Sequence, residues 1–94
     1  LESAGAFSIV IEKIPADLAG DISTSLTIPT ISIGAGNKCD GQILVTHDLL
    51  GLFEEFKPKF VRRYAHLAEE IRAAVSAYVE DVKQGSYPSD KESF

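Results

Sequence analysis

Ninety-four residues make at most one small domain, and a domain of that size buries a smaller share of its surface than a larger one. An apolar share of 45% with 24% charged residues argues against disorder, and no apolar stretch approaches the ~20 residues needed to span a bilayer. The net charge of −5 speaks against a nucleic-acid partner, because phosphate backbones attract basic faces.

The opening residues, Leu1-Glu2-Ser3-Ala4-Gly5, lack the charged start and apolar run of a signal peptide. Methionine is absent throughout, so the sequence reads as part of a longer chain. The single cysteine, Cys39, cannot form an intrachain disulfide and fits a reducing, cytoplasmic setting.

Phe7-Ser8-Ile9-Val10-Ile11 is a nearly continuous apolar run rich in β-branched residues, the habit of a parallel strand buried on both faces. It ends at Glu12. Pro15 suits the first turn of a helix, Asp17 adds negative charge there, and Leu18, Ala19, Ile22 and Leu26 recur at helical spacing. Thr27 and Pro29 stop the helix, and Thr30-Ile31-Ser32-Ile33 follows as a second strand ending in Gly34-Ala35-Gly36-Asn37. Such a strand–helix–strand unit predicts a right-handed crossover with parallel strands. Glu12 and the loop 34–37 then share the carboxyl end of the sheet, where α/β barrels and open α/β sheets place their ligands.

Gln42-Ile43-Leu44-Val45-Thr46 is a candidate third strand, although too few residues precede it for a normal crossover helix. The alternative is a helix start capped by Asp40; the strand is favoured. Farther on, Phe60, Tyr64, Leu67, Ile71, Ala74, Tyr78 and Val82 form a helical stripe widened by Val61, Ala68 and Val75. Pro58 suits its start and Gly85 its end, and the pattern admits a break near 67–70. At ~1.5 Å per residue the stripe runs about 30 Å, more than two or three strands can cover. Further chain or a neighbouring subunit is required to bury it.

Glu12 is the first candidate for chemistry. A carboxylate directly after a buried strand is held by rigid backbone beside a predicted pocket and is suited to accept a proton. The plainer reading is a rim glutamate paired with Lys13. Gly34-Ala35-Gly36 can bring backbone amides close to an anion, but no G-x-G-x-x-G is present and a tight turn serves equally well. His47 and Asp48 would point to opposite faces of a strand, so Asp48 as the cap of a following turn is the simpler account. His66 is expected on the solvated side of the helix, and Cys39 has no metal-ligand spacing. The cluster Lys57, Lys59, Arg62 and Arg63 is offset by Glu54, Glu55, Glu69 and Glu70, which predicts charge pairing along a helix rather than an anion site.

Three segments, in this order, resemble the ketopantoate hydroxymethyltransferase family. They are Ser8-Ile9-Val10-Ile11-Glu12-Lys13-Ile14-Pro15, Ile28-Pro29-Thr30-Ile31-Ser32-Ile33-Gly34-Ala35-Gly36, and Cys39-Asp40-Gly41-Gln42-Ile43-Leu44-Val45 with His47-Asp48-Leu49-Leu50-Gly51. The endings Gly85-Ser86-Tyr87-Pro88 and Ser93-Phe94 are similar too, so the likeness covers almost the whole chain. Ser32 departs from a common glycine, and Glu92 stands where a histidine often occurs.

The resemblance implies an α/β fold: the C-terminal portion, about the last three strands, of a (β/α)8 TIM barrel plus long C-terminal helices. Residues 1–94 would then form one partial domain, with the helical segment 57–85 used in homo-oligomer contacts; family members form a decamer. It implies hydroxymethyl transfer from 5,10-methylenetetrahydrofolate to 3-methyl-2-oxobutanoate on the route to pantothenate, with Glu12 as proton acceptor. The required Mg2+ would be held by residues earlier than residue 1, so that this chain alone is expected to be inactive. Two rival readings are a non-catalytic or assembly segment, and another barrel enzyme acting on keto-acid or phosphorylated substrates.

Overall fold

The computed structural model describes residues 1–94. Its elements are β1 (Ile9–Glu12), α1 (Ala16–Ser25), β2 (Thr30–Ile33), β3 (Gly41–Gln42), α2 (Thr46–Leu49), α3 (Leu67–Gln84) and a 3-10 turn at Asp90–Glu92. The strands form one sheet in the order β1-β2-β3, with both pairings parallel. Ile9 pairs with Thr30 and Glu12 with Ile33, so the expected strand–helix–strand unit is present.

Alternation along the strands gives the sheet two unlike faces. Ile11 packs with Ala19 of α1 and with Ala35, and Ile9, Ile14, Ile22 and Cys39 surround them. Val10, Glu12, Ile31 and Ile33 therefore share the opposite face, and no helix of this chain covers it. Of the face expected on α1, Ala19 and Ile22 join the core, whereas Leu18 is half exposed. Pro15 takes the N-cap position, just before the helix. Pro lacks a donor there without cost, since the first helical amides have no intrahelical acceptor.

β3 is shorter than its apolar run predicts. Beyond Gln42 only the Ile43 amide still reaches β2, donating to the Ser32 carbonyl at 3.0 Å. β2 ends at Ile33, and Gly34 turns the chain at φ +67°, so Leu44 and Val45 find no ladder partner. They lead instead into the single turn of α2. Because β3 is so short, the chain needs little length to return from β2, and a loop replaces the crossover helix.

The segment 57–85 is not one helix. α3 begins at Leu67, because the Tyr64 amide donates to the Leu49 carbonyl at 2.8 Å and His66 has non-helical φ −128° and ψ 56°. The first α3 amides, of Leu67 and Ala68, donate to the carbonyls of Leu50 and Gly51 at 3.0 and 3.1 Å. These bonds cap the helix in place of a side chain and fix its base to the loop after α2. Gly85 closes it as expected, with φ +75° and the Ser86 amide on the Asp81 carbonyl at 2.9 Å.

Beyond that base Arg72 pairs with Glu54, and the rest of α3 projects away from the sheet. No α3 residue is buried, and Val75 and Tyr78 are each 56% exposed. The chain measures 67 × 28 × 16 Å, with a radius of gyration of 22.0 Å. A compact chain of this length would have about 12 Å.

Candidate active site

The parallel pairing brings the carboxyl ends of β1, β2 and the two-residue β3 to one side. Glu12 is the last residue of β1, held in register with Ile33 while the next amide, of Lys13, donates to the Ile33 carbonyl at 2.9 Å. Lys13 has a left-handed φ of 51°, which turns the chain away toward α1 directly after the carboxylate. The Glu12 side chain is exposed and pairs with neither Lys13 nor any other charged group. Its acceptor oxygens are therefore open toward the uncovered face, and the rim ion pair with Lys13 is not formed.

The glycine loop lies beside it. Gly34 and Gly36 have φ +67° and +80°, the region that disfavours a side chain. Between them Ala35 is buried and its amide donates to Ser32 Oγ at 3.1 Å. The hydroxyl at position 32 thus serves the turn itself. Gln42 Nε2 donates to the Gly36 carbonyl at 2.8 Å and binds β3 to the loop. A cavity of about 280 Å³ opens next to Gly34, walled by Gln42, Ile43, Leu44, Leu49 and Phe60.

Phe60 belongs to this site, although its spacing placed it on a helix. A Cβ at Gly34 would lie 2.9 Å from Phe60 Cγ and Cδ1, so the ring rests on the glycine. It is held there by the neighbouring Val61, which is buried and donates its amide to the Pro58 carbonyl at 3.0 Å. A contact between residues so far apart in sequence leaves no periodic signal.

Asp40 also plays a part that local sequence does not show. It caps no helix. Its carboxylate accepts from the Thr30 amide at 2.8 Å and the Thr30 hydroxyl at 3.0 Å, and these bonds hold it below the usual carboxylate range. Thr30 is fully buried and also bonds Ser23 Oγ at 2.7 Å, which ties α1 to the same point.

Other expectations change. His47 and Asp48 lie within α2, whose N-cap is Val45, so Asp48 does not cap a following turn. His66 is exposed at the N-cap of α3. The basic cluster does not pair along a helix: Glu54 binds Arg72, and Arg63 donates to the Phe53 carbonyl at 3.1 Å. A larger cleft of about 550 Å³, lined by Asp17, Gly20, Asp21, Thr24 and Lys38, has no apolar wall. Lys38 is engaged there by Asp17 at 2.6 Å, which lowers the Asp17 pKa and raises that of Lys38. No three His, Cys, Asp or Glu side chains of this chain converge as a metal site would need.

Comparison with known proteins agrees with the motifs. The family profile described as ketopantoate hydroxymethyltransferase matches residues 1–90. The chain is 61% identical over its whole length to the 3-methyl-2-oxobutanoate hydroxymethyltransferase of Chlorobaculum tepidum, of which it covers 34%. It is 62% identical to that of Chlorobaculum parvum, again covering 34%, and 57% identical to that of Salinibacter ruber, covering 36%. The chain thus spans about a third of the length of the curated relatives it matches.

Proposed function

The chain belongs to the ketopantoate hydroxymethyltransferase family, and from that premise we propose that Glu12 is the proton acceptor of the whole enzyme's reaction. The reaction is transfer of a hydroxymethyl group from 5,10-methylenetetrahydrofolate to 3-methyl-2-oxobutanoate. One observation carries the assignment: Glu12 is the unpaired carboxylate that ends β1 on the uncovered face, in register with Ile33 and beside the glycine loop.

The chemistry suits such a group. The C3 proton of the keto acid lies alpha to its carbonyl, so its removal leaves an enolate. The enolate carbon bonds to the methylene as the two C–N bonds that held it in the donor break. Water adds its hydroxyl to that carbon, and the remaining water proton and the proton taken from C3 end on the two nitrogens of the departing tetrahydrofolate. Glu12 takes the C3 proton and gives it up as the folate departs, and the short rigid strand limits how far its carboxylate can wander from C3. Mg2+ belongs to the same reading, but the residues present do not make its site, so its ligands are assigned to the part of the relatives that this chain does not span.

The rest of the architecture fits. Three parallel strands with α1 on one face, and Val10, Glu12, Ile31 and Ile33 on the other, match the end of a (β/α)8 barrel whose interior is that second face. In the same reading the projecting α3 packs its stripe of Ile71, Val75, Tyr78 and Val82 against another subunit of a homo-oligomer. No helix is long and apolar enough to cross a membrane, and we assign the enzyme to the cytoplasm, in keeping with the free thiol of Cys39.

The test is Glu12→Gln in the full-length enzyme. Exchange of the keto acid's C3 proton with solvent, followed by NMR, is expected to fall by about 10²–10⁴-fold with Mg2+ binding retained. Undiminished exchange would overturn the assignment.

A further inference from the structure

We propose that the cavity beside Gly34 seats the planar heterocyclic part of the one-carbon donor, with Phe60 as the ring on which it stacks. This rests on the reading above, in which a reduced folate supplies the carbon.

Position is the first argument. Glu12 does not line the cavity, yet its register partner Ile33 immediately precedes Gly34, which does. An acceptor poised at Glu12 and a donor in the cavity therefore meet across the tip of β2. The base needs only the acceptor, so a second, adjacent space is what a two-substrate carbon–carbon bond formation requires.

Chemistry is the second. Ile43, Leu44, Leu49 and Phe60 make the walls apolar, and Gln42 adds one oriented amide. Because Gln42 Nε2 is committed to the Gly36 carbonyl, its Oε1 is held as an acceptor for a ring N–H. Phe60 is backed by Gly34 and is still 37% exposed, so part of its ring remains open for stacking. At about 280 Å³ the space falls just below the range of ligand pockets, ~300–1,000 Å³. It suits a bicyclic headgroup and not a whole folate with its tail. Nothing in the cavity is cationic, which fits a neutral ring rather than a phosphate or carboxylate.

The experiment uses the full-length enzyme, Phe60→Ala and Phe60→Leu, with 5,10-methylenetetrahydrofolate as the varied substrate. Loss of one aromatic stack is expected to raise its KM about tenfold or more in F60A, with a smaller rise in F60L. Exchange of the keto acid's C3 proton without folate is a donor-independent half-reaction and is expected to persist in both variants. An unchanged donor KM in F60A overturns the proposal, and so does loss of folate-free exchange in both variants, which would place Phe60 on the keto-acid side or in the fold. These outcomes are separate from the Glu12→Gln result: the base can fail while the donor KM still responds to Phe60, and the reverse.

Discussion

Asp40 accepts two hydrogen bonds from one residue, the amide and the hydroxyl of Thr30, and so fixes the entry of β3 against the entry of β2. Register between these strands cannot come from a long ladder, since β3 contributes only two residues. The bond pair takes over that task. It also sets Gln42, which reaches back to the glycine loop beside Glu12.

Thr30→Val keeps the shape of the buried side chain while removing the hydroxyl that Asp40 and Ser23 share. The expected loss is about 1–2 kcal/mol by denaturant unfolding of the full-length enzyme. A double variant with Asp40→Ala should lose less than the sum of the two single losses, because both remove the same bond.

The same pair predicts an acid-sensitive contribution. Hydrogen bonds from Thr30 hold the folded Asp40 carboxyl below its ordinary 3.8, which the unfolded chain retains. As the pH falls the unfolded state binds the proton first, so the stabilisation is whole above 3.8 and is lost as the pH drops through the lower folded value. The difference in Tm between the wild type and Asp40→Asn should therefore narrow progressively in that acid range. A constant difference would refute the linkage.

Gly36→Ala tests the glycine loop. At φ +80° a side chain costs about 1–2 kcal/mol, and its Cβ would also overlap that of Ala16. Stability should fall by more than the backbone term alone. Adding Ala16→Gly should restore most of the part due to overlap, with the residue 16 Cα still 3.1 Å away, and leave the part due to φ, as read from the two denaturation midpoints.

For α3, Val75→Asp places a charge in the exposed stripe. If the stripe is a subunit contact, sedimentation should show the full-length oligomer dissociating into smaller species. Glu80→Gln, on the other side of the helix, should leave the assembly intact. Equal sedimentation of V75D and wild type would remove α3 from the interface.

The local patterns carried much of this structure. Continuous β-branched runs located β1 and β2, helical spacing after Pro15 located α1, and Gly85 marked the end of α3. They misread 57–66, where Phe60, Val61 and Tyr64 have helical spacing but are used otherwise. Phe60 lies on Gly34, Val61 is buried, and the Tyr64 amide goes to Leu49. Periodicity reports which residues are apolar, and a turn held by distant carbonyls can use the same residues.

Glu12 shows the division most clearly. Its place at the end of a parallel strand follows from the order of residues alone, because an apolar run, a short turn and a crossover helix allow few topologies. Tertiary structure decided what surrounds it: the uncovered face it shares with Val10 and Ile33, the cavity beyond the tip of β2, and Phe60 resting on Gly34. Those neighbours come from parts of the chain joined by packing and long-range hydrogen bonds, which local periodicity does not encode.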